Sequence, residues 1–170
     1  KEIWYCAQYW PSFDLVELAI LDEGIGIKDS LLSNMAYESL VRTDKDALEY
    51  ALKPGISRTF VPGRNNNSTD EWANSGYGLY MVSRTCAALG GSFIVLSGNA
   101  ALKVDADGVK KYPEKCYLQG TAIQIRVHLS QMAKYEEVVP KILSDGEKEA
   151  GEDKKTIKSA SKSTKRILGY

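Results

Sequence analysis

The chain has one histidine and three cysteines in 170 residues, and no net charge, because 22 Lys and Arg balance 22 Asp and Glu. Cys6, Cys86 and Cys116 are odd in number, far apart and without a Cys-x-x-Cys pair. That argues against a disulfide framework or a structural zinc site and for a reducing compartment, the cytoplasm. His128 stands among strand-forming residues with no Asp or Cys beside it, so it reads as a surface or packed side chain, not a catalytic base. Zero net charge removes the electrostatic footprint of a nucleic-acid binder. No apolar run reaches the roughly 18 residues of a membrane span, no signal peptide opens the chain, and no internal repeat is visible. The chain starts with Lys1 and not Met, as an excised fragment would.

What remains is an ordinary globular composition, 44% hydrophobic and 26% charged, at a length that suits one domain with a real core. Residues 3–10 and about 15–22 read as an antiparallel strand pair joined through Pro11-Ser12. Lys28 to Met35 reads as a short helix. Thr43 with Asp46 is a capping pattern for a helix over 44–52, which Pro54-Gly55 closes. Residues 53–75 lose periodicity and gather Pro, Gly, Asn and Ser, including Asn65-Asn66-Asn67-Ser68. A loop that long in a compact domain is expected to be a lid or binding loop with few apolar anchors beyond Phe60, Val61 and Trp72. Helical spacing returns over 78–89, with Leu79, Val82, Cys86 and Leu89 on one stripe, and Gly90-Gly91 stops it. Ser92 to Ser97 reads as a strand, Ala106-Asp107-Gly108 as a hairpin between 102–105 and 109–112, and 117–129 as the last core strand. Gln131 to Leu143 reads as a helix that Pro140 bends or ends. From Asp145 onward an acidic and then basic stretch, through Lys154, Lys155, Lys158, Lys162, Lys165 and Arg166, reads as a solvated tail or an exposed helix in preference to a dedicated binding arm.

Three short motifs carry the chemistry. Asp22-Glu23-Gly24-Ile25-Gly26 follows an apolar strand. A carboxylate there can accept a hydrogen bond from an exocyclic amine such as adenine N6 and reject the carbonyl that guanine presents, while Gly24 and Gly26 let a flat base approach. Gly76-Tyr77-Gly78-Leu79 opens a helix, where unpaired N–H groups at the positive end of the dipole suit an anion. No Gly-Lys-Ser/Thr follows, so it is not a Walker loop. Gly120-Thr121 begins the last strand and offers a hydroxyl in support of Asp22.

In this order the motifs resemble those of the GHKL superfamily of Bergerat-fold ATPases, which includes gyrase, heat-shock chaperones, histidine kinases and MutL. Asp22-x-Gly24-x-Gly26 is similar to the second nucleotide box, Gly76-x-Gly78-Leu79 to the phosphate-side glycine box, and Gly120-Thr121 to the last box. Pro54-Gly55-Ile56-Ser57-Arg58 is similar to the segment where lids of this family begin, which makes Arg58 a candidate phosphate contact. The resemblance covers residues 1–130, leaving 131–170 as a polar C-terminal extension. It implies an α/β (α+β) two-layer sandwich, a mixed, largely antiparallel sheet with helices on one face, and ATP or ADP beneath a mobile lid. The family's first box, a helix whose Asn helps to hold Mg²⁺, is not supplied by Lys1 to Trp10. Mg²⁺ is therefore expected only if the parent protein carries that box, and residues 1–170 are expected to hydrolyse ATP negligibly.

The implied function is an ATP-binding module that drives phosphotransfer or an ATP-gated conformational change, with protein partner and catalytic residue unassigned. One alternative is the catalytic half of a histidine or serine protein kinase, although Leu40 to Phe60 lacks a Phe-rich box and no phosphoacceptor-histidine helix is present. Others are a non-enzymatic ATP-sensing module and a degenerate domain that binds no nucleotide.

Overall fold

A computed structural model describes residues 2–60, 75–111, 117–153, 156–157 and 159–161. Six strands form one sheet: β1 (Ile3–Trp10), β2 (Leu15–Asp22), β3 (Ser92–Gly98), β4 (Ala100–Asp105), β5 (Gly108–Lys111) and β6 (Leu118–His128), in the order β1-β2-β6-β3-β4-β5. Every pairing is antiparallel. Four α-helices accompany it: α1 (Gly26–Leu32), α2 (Asp44–Ala51), α3 (Gly78–Ala88) and α4 (Tyr135–Glu152). The fold is thus α+β with a largely antiparallel sheet, as the sequence predicts.

Strand alternation decides which face the helices cover. Phe93 and Val95 of β3, Leu102 and Val104 of β4, and Ile123, Ile125 and Val127 of β6 share one face. They pack with Leu48 and Leu52 of α2 and Leu79 and Cys86 of α3 in the central cluster. The opposite face is polar at β6, where Glu17 accepts from Gln124 Nε2 and Arg126 Nε, each at 2.7 Å. In register with the partly buried Ile123, Ile125 and Val127 of β6, Val16, Leu18 and Ile20 of β2 point to the helix side, and behind them Ile3, Tyr5, Ala7 and Tyr9 of β1. The described helices leave that half of the face uncovered: Tyr5 is 80% and Ile3 67% exposed.

Local signals explain the helix ends. Thr43 Oγ1 accepts from Asp46 N–H at 3.1 Å and Asp46 Oδ2 from Thr43 N–H at 2.9 Å, a reciprocal capping box that starts α2. The helix placed at 28–35 begins earlier, at Gly26, and stops at Leu32. A separate 3₁₀ turn over Met35–Tyr37 follows it, where Asn34 Oδ1 accepts from Ala36 N–H.

The C-terminal extension departs most from expectation. Residues 129–134 form a 3₁₀ turn, and α4 then runs through Pro140 to Glu152 instead of ending there. The ring removes one N–H bond of the helix and costs on the order of 3 kcal/mol. Val139, Leu143, Gly146 and Ala150 fall on one stripe buried against α3. Full burial of an aliphatic side chain contributes about 1.5–3 kcal/mol, so Val139 and Leu143 together offset the proline. As far as Glu152 the stretch from Asp145 is thus helix, one of the two forms expected, but docked through Gly146 and Ala150 and exposed on its other side. The expected lid residues Asn65 to Ser68, with Val61, Arg64 and Trp72, lie outside the described residues, as do Tyr112, Cys116 and every Lys and Arg after Asp153. No helix among the described residues is long and apolar enough to cross a membrane.

Cys86 sits in the core as its stripe predicts, and burial pushes its thiol up to about 11 from 9.0. Cys6 is exposed on β1. Near pH 8 the thiolate fraction alone slows Cys86 on the order of a hundredfold relative to an ordinary thiol. In a Cys116→Ser background, a thiol reagent followed by mass spectrometry is expected to label Cys6 in the native protein and Cys86 only after unfolding. Equal labelling rates would contradict the packing described.

Candidate functional site

The β2–β6 ladder ends by setting Asp22 directly opposite Thr121. Beyond that pair the chain turns through Glu23 and Gly24, and Asp22 Oδ1 accepts from Gly24 N–H at 2.6 Å. The second carboxylate oxygen makes no hydrogen bond among the described residues, and neither does the Thr121 hydroxyl. The direct Thr121–Asp22 hydrogen bond that the sequence allows is not formed, so both groups keep capacity for a further partner. Gly120 lies with its backbone on that of Asp22 and Gly24 at φ 115°, a conformation and a proximity that exclude a Cβ.

Ser97, which sequence reasoning did not single out, holds this corner together. Its hydroxyl donates to Gly120 C=O at 2.6 Å and accepts from Ile27 N–H at 3.0 Å, tying the first turn of α1 to the start of β6. Gly26 fits beside it because a Cβ there would stand 3.0 Å from the Ser97 oxygen. A signal was available: Phe93, Val95 and Ser97 share the inward phase of β3, and a hydroxyl in that phase needs buried partners. Gln119 adds a second tie, donating from Nε2 to Gly24 C=O at 3.1 Å. Asp22, Gly24, Gly26 and Thr121 are thus brought together in one corner.

The phosphate-side candidates come from the neighbouring elements. Gly76 rests with its backbone against Ile56, so the glycine turn and the segment carrying Arg58 are held side by side. Tyr77 is buried and forms an edge-on pair with Tyr80, and burial holds its phenol well above the usual range. Gly78 opens α3, and no described atom lies within 4 Å of where its Cβ would stand. The first turn of α3 has no side-chain cap and no acidic residue, so no side chain caps its N–H groups among the described residues. Leu79 packs into the central cluster alongside Ile27 and Ile123, which links this turn to the Asp22 corner.

Arg58 is exposed, and its guanidinium makes no ion pair among the described residues. The backbone beneath it is held more firmly than a loose lid requires. Asn34 Nδ2 donates to Arg58 C=O at 2.9 Å and to Phe60 C=O at 2.7 Å. Tyr37 OH donates to Ser57 C=O at 3.1 Å, and Ile56, Ser57 and Phe60 are buried. The first residues of the expected lid are therefore a built anchor.

The cavity found at this corner is small. A cavity of about 90 Å³ beside Gly26, Ser97 and Gly120 is below the roughly 300 Å³ of a small-molecule site. A larger cleft of about 620 Å³ lies elsewhere, between Tyr50, Lys53 and Pro54 and the end of α4. The Asp22 corner instead opens onto the uncovered face of β1 and β2. His128 is at the far end of β6, opposite Leu15, and the rise of seven residues puts it roughly 20 Å from Thr121. Among the described residues no three His, Cys, Asp or Glu side chains converge as a metal site. No family model matches the chain, and no curated protein matches it.

Two glycines of the site separate structural from ligand-facing demands. Gly120→Ala is expected to lose about 2 kcal/mol or more of stability, from strain at positive φ and a backbone clash. Gly78→Ala meets open space at a helical position and is expected to be neutral or to stabilise by up to about 1 kcal/mol. Urea unfolding of both variants checks this, and a destabilised Gly78→Ala would mean that the protein itself requires that glycine.

Proposed function

We propose that the chain is the ATP-binding module of a GHKL-superfamily protein with the Bergerat fold, driving phosphotransfer or an ATP-gated conformational change in its parent protein. The observation that carries this reading is the Asp22–Thr121 pair, with one carboxylate oxygen and one hydroxyl unengaged at the open end of the ladder. Adenine N6 would donate to that oxygen, whereas guanine would set a carbonyl lone pair against it.

The phosphate end fits an anion on three counts. Among the described residues the start of α3 has no side-chain cap, Gly78 has no atom near the place of its Cβ, and Arg58, two residues from the Ile56 that Gly76 rests on, makes no ion pair. A glycine with no steric or torsional reason among the described residues is explained by a ligand that approaches the backbone there. The first-box helix that the family implies would pack on the apolar half-face formed by Ile3, Tyr5, Val16, Leu18 and Ile20, and would close the groove over the base. Mg²⁺ would neutralise the phosphates when bound, but no cluster of ligands for it is present among the described residues. The free thiols of Cys6 and Cys86 support a cytoplasmic setting.

Isothermal titration of residues 1–170 is expected to show binding of ATP or ADP in preference to GTP. Asp22→Asn offers N6 a poorer partner, and an unsatisfied buried group costs about 1–3 kcal/mol, so affinity should fall about tenfold or more with the fold retained. Unchanged affinity in that variant removes Asp22 from the site.

Hydrolysis is a separate matter. The single histidine is at the far end of β6 from Thr121, and no described residue is assigned here as a base for the attacking water. Purified residues 1–170 are expected to release no phosphate above background with Mg²⁺ and ATP in a coupled assay. Robust turnover would mean that a base outside those named here reaches the γ-phosphate.

A further inference from the structure

We propose that the segment after α4, through Thr156, Ile157 and Ala160, is a positioning element for the phosphate-side glycine turn. This role rests on the nucleotide reading above, but its geometry stands apart from it. Thr156 is buried, and its hydroxyl donates to Ala150 C=O at 2.6 Å and Asp153 C=O at 3.0 Å, which turns the chain back at the end of the helix. Ile157 N–H then donates to Gly55 C=O at 2.8 Å. The two backbones approach so closely that a Cβ on Gly55 would collide with Ile157.

Three residues apart, this segment contributes one side chain to each of the two clusters that flank the glycine turn. Ile157 packs with Tyr37, Ile56 and Phe60, the anchor beneath Arg58. Ala160 packs with Tyr77, Tyr80 and Ala150, on the other side. Glu147 fixes the spacing by accepting from Ser159 OH and Ala160 N–H, each at 3.0 Å. Between the clusters, Gly76 lies against Ile56. The segment is therefore a strap that spans the turn from behind: it holds Ile56 against Gly76 and Tyr77 against α3. Loosening it would misplace the Arg58 anchor and the first N–H groups of α3, while leaving the Asp22–Thr121 corner on β2 and β6 untouched.

That asymmetry sets the test. In the full chain, Ile157→Asp is expected to weaken ATP and ADP about tenfold while adenosine, followed by NMR titration, changes by less than about twofold. Hydrogen exchange at the Phe60 amide, which donates to Ser57 C=O at 3.0 Å, is expected to accelerate, and Ile157→Val to restore both measures. If Ile157→Asp does not fold, Ile157→Ala should give the same split with about a threefold loss for ATP. Unchanged ATP affinity, an equal loss for adenosine, or unchanged exchange at Phe60 overturns the proposal. If the unaltered chain binds no adenine nucleotide, the proposed function fails, and the exchange comparison alone decides whether the strap holds the turn.

Discussion

The site depends on one strand pairing, that of β2 with β6. Its register puts Asp22 across from Thr121, and its last step presses Gly120 onto the backbone of Asp22 and Gly24. A slip of β2 by one residue would turn Asp22 to the opposite face, the one that carries Gln124 and Arg126 of β6, because side chains alternate with a period of two. The same slip would turn Val16, Leu18 and Ile20 to that polar face and Glu17 to the helix side. Keeping those three apolar residues on the helix side therefore enforces the position of a carboxylate that is itself only half-buried. Core packing and site geometry are one constraint here.

Around that ladder, the site is assembled by backbone contacts more than by side-chain networks. Gly120 on Asp22, Gly76 on Ile56 and Gly55 on Ile157 are three places where two chains meet too closely for a Cβ. Contacts of this kind transmit position well, since neither partner has a rotamer to change. Ser97, Asn34 and Tyr37 then satisfy the polar groups that such close approach buries. An unmade hydrogen bond at any of them would cost about 1–3 kcal/mol, a large part of the stability of a small domain.

The other half of the molecule's character is an asymmetry of cover. The β3–β4 end of the sheet is closed by α2 and α3, whereas β1 and β2 show apolar side chains on the helix side with no described helix across them. Isolated exposed apolar residues are ordinary, but a contiguous group at a sheet edge marks a surface that meets something. The open Asp22 corner borders that surface, so whatever covers the face also completes the groove.

How much of this was legible beforehand follows from the range of the interactions. Local chemistry determined the elements: the capping pair Thr43–Asp46, the stop at Gly90-Gly91, the hairpin at Asp107-Gly108 and the alternation in β2 and β6 all act within a few residues. The order of the three motifs is also a property of the sequence alone, and it is what suggests the adenine-nucleotide reading proposed above. Tertiary structure alone decided the rest. Pro140 continues a helix because α3 supplies the burial that offsets it, and a stretch as polar as 145–161 docks because Gly146, Ala150, Ile157 and Ala160 are its few contact points. Ser97 acquires its role from Ile27 and Gly120, 70 residues before it and 23 after it. Periodicity within a window reports which residues share a face; it carries no information on which distant backbone that face will meet.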